Sequence, residues 1–370
     1  MNQLQHSVRV GLVGIGRAGW GMHVPALAAR PQAFTIVAAC DIIPERRERM
    51  AARFGCTVYE RIEDLVADAR VELVDIATRS CDHHRHVRLA LEAGKHVNIE
   101  KPMCARLEDA LDLAVVARRS HGRLFVHHNR RFEPAFHHIR EIMATGVLGD
   151  VFEIKLRRAS FQRRDDWQTI REFGGGQLLN WGPHIVDHAL RLLEAPVQDQ
   201  WSALRNVVAL GDAEDHLKIV LTGANGRVVD LEISGAAALS EPEFTVWGSR
   251  GALSCDGSII HLKYLDPAVA LESRNAYRGT PGEAVPRSPA PASGDGHSPP
   301  EIPWSPYVNP EPLAWITQSV PVAPKSGVNL TSIWDAIHDD LAGVASYPVT
   351  LEESLEVMRV IARARTAATF

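Results

Sequence analysis

The sequence predicts a doubly wound parallel α/β domain followed by a second domain built on an open sheet, and three observations carry that prediction. Over roughly the first 125 residues, short apolar runs alternate with helical stretches at the spacing of strand–helix units. A glycine triplet, Gly14, Gly16 and Gly19, lies between the first run and the first helix. Beyond residue 149, strand-like runs follow one another with turn signals between them. At 370 residues the chain is long for one core, so two domains are the default.

Taken in order, VRVGLV (8–13) is a β-branched run suited to a buried parallel strand. Gly14-Ile15-Gly16-Arg17-Ala18-Gly19 follows at once, then a helical stretch to about Ala29. FTIVAACD (34–41) is the second strand and ends in Asp41. Residues 44–55 form a helix with Pro44 at its first turn and Gly55 at its end. VELVDIAT (71–78), HVNIEKP (96–102) and the start of RLFVHHNRRF (123–132) give three more strands, with helices at 86–94 and 107–120. GDVFEIKLRR (149–158) opens the second domain, and strands at 217–223, 226–236, 243–248 and 258–264 suit one sheet. Asn225-Gly226 marks a hairpin turn within it. Residues 281–324 hold 12 of the 22 prolines and read as an extended surface loop reaching towards a neighbouring subunit. Helical periodicity resumes at 331–342 and 351–367. The domains are therefore set at 1–127 and 128–345, with a last helix in 346–370.

Composition narrows the class. Hydrophobic residues at 45% and charged residues at 23% describe an ordinary globular chain. A net charge of −5, with no run of like charge, gives no reason to expect nucleic acid as a partner. No apolar run reaches the roughly 18 residues of a membrane span. Five cysteines (Cys40, Cys56, Cys81, Cys104, Cys255) stand singly, without a C-x-x-C pair, which fits a reducing compartment; a cytoplasmic location is expected.

Three motifs carry chemistry. In G-x-G-x-x-G the first glycine allows the tight turn, the second lets the backbone approach a pyrophosphate, and the third lets helix pack on strand. Asp41, 22 residues after Gly19, can accept hydrogen bonds from ribose hydroxyls and repels a 2′-phosphate, which favours NAD over NADP. Glu100-Lys101-Pro102 ends a parallel strand, where open α/β sheets bind ligands, and a lysine there can steady charge on a substrate oxygen. In GGGQLLNWGPHIVDHAL (174–190), Asn180, His184, Asp187 and His188 fall on one face of an expected helix. His184-x-x-Asp187-His188 has a metal-ligand spacing, with histidines at 81–86 and at His127-His128 as conceivable further ligands. Equally, Asp187 and His188 serve to cap or solvate the helix, and no metal is expected. Arg163, Arg164 and Trp167 precede the glycine run and could meet an acidic or phosphorylated substrate, or the cofactor phosphates.

Together, residues 14–19, Asp41, Ala77-Thr78, 93–97, 100–102, 129–132 and 174–188 resemble the glucose–fructose oxidoreductase and inositol dehydrogenase (Gfo/Idh/MocA) family, from about residue 8 to the end with an interruption near 266–325. The resemblance implies a Rossmann domain followed by a domain with an open, mostly antiparallel sheet that mediates homodimer or homotetramer formation. It implies hydride transfer between a nicotinamide cofactor and a sugar, cyclitol or related polyol. Gly14, Ile15, Gly16, Ala18, Gly19, Asp41, Ile42, Arg46, Thr78, His83, Glu100 and Lys101 would then contact the cofactor. Asn129, Arg130, Arg163, Arg164 and Trp167 would face the substrate alongside the catalytic set Lys101, His184 and Asn180. At position 180 the family has Asp; an amide can orient the imidazole or the substrate but supplies no charge. The last helix is expected to pack back near the first domain. A redox-assisted glycoside hydrolase and a non-enzymatic cofactor-binding regulator remain open as alternatives.

Overall fold

The computed structural model describes residues 7–271 and 313–366. Its first sheet contains β1 (Val8–Val13), β2 (Phe34–Cys40), β3 (Thr57–Tyr59), β4 (Leu73–Ile76), β5 (His96–Glu100) and β6 (Leu124–His127) in the order β3-β2-β1-β4-β5-β6, all parallel. Between the strands run α1 (Val24–Ala28), α2 (Pro44–Phe54), α3 (Ile62–Ala67), α4 (His83–Glu92) and α5 (Leu107–Arg119). A π-helical segment, Gly19–His23, leads into α1. The strand order reverses between β1 and β4, so the carboxyl ends of these two strands frame the crevice where such sheets hold ligands.

After α6 (Pro134–Ala144), β7 (Val151–Ala159) begins a second sheet. It is completed by β8 (Val197–Arg205), β9 (His216–Gly223), β10 (Val228–Ser234), β11 (Phe244–Gly248), β12 (Gly251–Cys255), β13 (Ile259–Leu265) and β14 (Trp315–Pro321). The order is β14-β13-β12-β11-β7-β10-β9-β8, antiparallel throughout except for the β10–β7 pair. Leu217, Ile219 and Leu221 of β9, with Val229, Leu231 and Ile233 of β10, alternate towards one face and are buried. On that face lie α8 (Gly182–Leu193) and α10 (Leu351–Thr366), with α7 (Gln177–Asn180) leading into α8.

Three features differ from expectation, whereas the last helix packs back on the first domain as expected. The polar segment 174–190 is not one helix: α7 ends at Asn180 and α8 restarts at Gly182, with Pro183 in its first turn. Residues 315–321, read as part of a loop, form the edge strand β14, whose WITQSV run has the aromatic and β-branched make-up of a strand. Residues 281–312 of that proposed loop lie outside the described residues. Helix α9 (Ser332–Leu341), assigned above to the second domain, buries Ile333, Trp334 and Ile337 in one cluster with Val8, Val10, Leu27 and Phe34 of the first. Helix α10 packs on α8 and β8 of one domain and on α5 of the other.

Candidate active site

The glycine turn is tight below and open above. A Cβ on Gly14 (φ +90°) would stand 2.7 Å from the Ala77 carbonyl oxygen, and one on Gly19 would stand 2.1 Å from that of Gly14. At Gly16 the nearest atom would be Nη1 of Arg46, at 3.9 Å, so the turn presents free space where a pyrophosphate would approach. The turn therefore fits a dinucleotide. Asp41 closes it from the side: its Oδ2 accepts the Ile15 N–H (2.7 Å) and its Oδ1 the Ile43 N–H (2.9 Å). Arg46 reaches the same carboxylate at 3.3 Å, and Ile42 is exposed beside it. Asp41 thus fastens the β1 turn to the start of α2.

Thr78, after β4, hydrogen-bonds through Oγ1 to Nδ1 of His86 (3.0 Å). His83 is buried, with one ring nitrogen 2.8 Å from the Pro102 carbonyl and the other 3.2 Å from that of Thr78. It therefore sits under the loops it joins, not at a surface that a cofactor could touch. The side chain of Glu100 also turns inward, with Oε1 2.9 Å from Nε2 of His23. Lys101 alone of this tripeptide reaches the second domain, its Nζ donating to the Asn180 carbonyl (3.0 Å). Burial lowers its proton affinity; Glu100 opposes that, and the Arg17, Arg130 and Arg164 cations reinforce it.

From the second domain, His184 lies within electrostatic reach of this lysine. It is buried, its Nδ1 has no hydrogen-bond partner among the described residues, and Trp181 meets it edge-on at 5.9 Å between ring centroids. Burial, followed by the charges of Lys101 and Arg130, holds the imidazole well below its ordinary pKa, hence neutral at pH 7. The Arg130 guanidinium lies over the Trp181 ring at 4.4 Å and pairs with Glu133 (3.0 Å). Asn129, on the same turn, is buried. The Asn180 amide makes no hydrogen bond to His184 among the described residues. It lines a small cavity with Gln162, Arg164, Gln168, Gln177 and Glu214, whose lining includes neither Lys101 nor His184. Arg164 is held by Asp166 (2.6 Å) at that cavity, Trp167 is half-buried in the next turn, and Arg163 is exposed.

The remaining polar residues of α8 are structural. Asp187 forms a two-pronged ion pair with Arg131 (2.7 and 2.5 Å) and is buried, so it neither caps nor solvates the helix. His188 donates to the Arg130 carbonyl (2.7 Å) and stacks on Phe136 at 4.1 Å. The H-x-x-D-H spacing therefore does not assemble a metal site. Among the described residues, the metal-competent grouping lies elsewhere, at His23, Glu100 and His127. There both His23 nitrogens already face carboxylates, Asp75 on one side and Glu100 on the other, which makes it a hydrogen-bonded network.

Sequence reasoning missed that network. Its signals were an acidic residue inside the apolar strand LVDI and a histidine in an otherwise apolar helix start. Glu214 was also missed; its carbonyl accepts from Gln177 N–H (2.9 Å) and its Oε1 from Leu178 N–H (3.0 Å), capping α7.

Comparison with known proteins agrees with this geometry. Residues 8–128 match the oxidoreductase family with an NAD-binding Rossmann fold, and residues 136–254 match the GFO/IDH/MocA C-terminal domain. The uncharacterized oxidoreductase YdgJ of Escherichia coli is 31% identical over 71% of this chain and 73% of its own length. The scyllo-inositol 2-dehydrogenase (NADP(+)) IolW of Bacillus subtilis is 30% identical over 51% of this chain and 53% of its own length. Among solved structures, an NAD-binding protein from Listeria innocua superposes with a TM-score of 0.77 at 26% identity, covering 98% of this chain and 94% of that one.

Proposed function

The chain belongs to the Gfo/Idh/MocA oxidoreductase family, and on that premise we propose that it transfers a hydride between a nicotinamide cofactor and a carbinol carbon of a sugar, cyclitol or related polyol. The observation that carries this reading is the contact of Lys101, from the end of β5, with the α7–α8 segment that bears Asn180 and His184. A bound nicotinamide dinucleotide would supply the hydride acceptor or donor. His184, neutral at pH 7, accepts the hydroxyl proton in the oxidative direction. The Lys101 ammonium steadies the oxygen as negative charge builds on it. Asn180 is assigned to a substrate hydroxyl, with Asn129, Arg130, Arg163, Arg164 and Trp167 as further substrate-facing residues; of these, Arg164 lines the same small cavity as Asn180. The site lies between two domains, where ligand clefts commonly form.

NAD is the preferred cofactor in this reading, because a carboxylate at the end of β2 disfavours a 2′-phosphate. IolW, by its name, uses NADP, so the preference needs its own test. In a thermal-shift comparison, NAD⁺ at a hundred times its dissociation constant should add roughly 2.7 kcal/mol of stability. Equal or greater stabilisation by NADP⁺ would contradict the role given to Asp41. A screen of inositols, sugars and glycosides for NADH formation then names the substrate. Release of aglycone without net NADH would instead support a hydrolase.

The same reading makes the protein a homodimer or homotetramer through the outer face of the second sheet, where Trp201, Trp247 and Ile259 are exposed. The five cysteines, all free, support a reducing, cytoplasmic location in this reading. No helix among the described residues is long and apolar enough to cross a membrane.

A further inference from the structure

Behind Lys101 lies a polar network that the reaction as described does not use. His23, the last residue of the π-helical segment after the glycine turn, has Nδ1 2.8 Å from Asp75 Oδ2 and Nε2 2.9 Å from Glu100 Oε1. The Asn98 amide donates to Asp75 (2.7 Å), and its carbonyl oxygen lies 3.2 Å from Nδ1 of His127. All five side chains are buried, and Trp334 of α9 closes the group edge-on to His23 at 5.4 Å.

An imidazole can donate from both nitrogens only as a cation. Two carboxylates at hydrogen-bond distance on opposite sides call for that form, because a neutral ring would leave one carboxylate facing a lone pair in a buried space. We propose that His23 is a positioning residue for Lys101: as an imidazolium bridging Asp75 and Glu100, it locks the segment behind the glycine turn to the strand that delivers the lysine and sets the charge felt at its ammonium. The proposal rests on Lys101 being the group that meets the reacting oxygen.

The surrounding charges bear this out. Burial opposes charge on His23, but Asp75 and Glu100 outweigh it and raise its pKa to about 10. His127, beside it at 4.7 Å between centroids, is pushed the other way, to about 4, by burial and then by the His23 charge. Glu100 is drawn below the ordinary carboxylate range by His23, His127 and Lys101, against the effect of burial; it also lies within electrostatic reach of His83 and His128. Lys101 in turn faces Glu100, Arg17, Arg130, Arg164, His128 and His184. Glu100 is the carboxylate among these, and its charge opposes the burial and the neighbouring cations that loosen the lysine's proton.

Two measurements on the full chain, neither requiring turnover, test this. Long-range ¹⁵N–¹H spectra at pH 8 should show both His23 ring nitrogens protonated. Trace acetylation with acetic anhydride across pH, with the Lys101 peptide quantified by mass spectrometry, gives the half-titration point of that amine. Glu100→Gln removes the favourable charge and should lower the half-point by about one pH unit. His23→Gln removes a cation, leaves two carboxylates, and should raise it by a similar amount. A residue with a merely structural role would lower the melting temperature of both variants and leave the half-points alone. Should His23→Gln fail to fold, the spectrum of the unmodified protein and the Glu100→Gln half-point still decide. A neutral His23 at pH 8, unshifted half-points, or one equivalent of tightly bound divalent metal would overturn the proposal. Because no substrate is involved, a wrong assignment of the reaction would appear separately, as a failure of the polyol screen.

Discussion

A single residue's charge decides how the proposed base behaves. His184 serves as acceptor only when neutral, and its pKa is held well below the usual value by burial and nearby cations. Turnover that depends on it is therefore present above that lowered value, and kcat/KM should be flat from about pH 6.5 to 8. Asn180→Asp places a carboxylate four residues before the imidazole. It should raise the His184 pKa and move the acid limb up by about one pH unit. A limb that stays in place would mean that His184 is not the titrating base. At this scale motif spacing singled out Asp41, which the structure places against the glycine turn, and Lys101, which it places against the α7–α8 segment. The sequence was illegible where a role arises from packing alone. Nothing in the spacing of His23, Asp75 and Glu100 announces that three elements bring them together, because burial turns isolated polar residues into a network.

Among the elements, the glycine turn makes the sharpest contrast. Gly19→Ala would drive a methyl group into the Gly14 carbonyl and should lower the melting temperature markedly. Gly16→Ala meets nothing closer than 3.9 Å, so it should fold normally yet weaken NAD⁺ binding at least tenfold, measurable by calorimetry. Normal affinity in Gly16→Ala would place the pyrophosphate elsewhere.

Helix α8 offers a stability test. Breaking its buried pair by Asp187→Asn should cost about 3–5 kcal/mol in denaturant unfolding, since Arg131 loses its main partner. The Asp187 carboxyl is brought down to about 2 by Arg131, against burial, so the stability it contributes is complete above about pH 4 and fades as pH falls towards 2. The variant should lack that part of the acid dependence, roughly 2 kcal/mol.

The strands of the first sheet were readable because they are apolar and separated by helices. Strand β3 has three residues and β8 is mostly polar, so neither shows a hydrophobic run. The break before α8 was signalled by Gly182-Pro183, but the i, i+4 spacing of the polar face obscured it.

On the scale of the whole molecule, α9 and α10 cross the domain boundary that the chain order suggests. Arg30 pairs with Asp335 (2.6 Å), and α10 lies against α5 and α8 at once. No local pattern reports such returns of the chain, which is why α9 was first assigned to the wrong core. The exposed tryptophans of the second sheet lead to a prediction about assembly. Light scattering should give a multiple of 40.7 kDa, and Trp201→Lys with Trp247→Lys should reduce it to the monomer mass. A monomeric unmodified protein would leave that face without the proposed role.

The central claim is that one amine and one imidazole from different domains act on the same carbinol. It is tested by following NADH absorbance with the best polyol of the screen in three proteins: unmodified, Lys101→Ala and His184→Ala. Each substitution should reduce kcat/KM by about 10²-fold or more, while the NAD⁺ dissociation constant stays within a factor of about three, as expected for groups that act on the substrate and not on cofactor affinity. Undiminished turnover in either variant, with the cofactor still bound, would mean that the reaction takes place somewhere other than between Lys101 and His184.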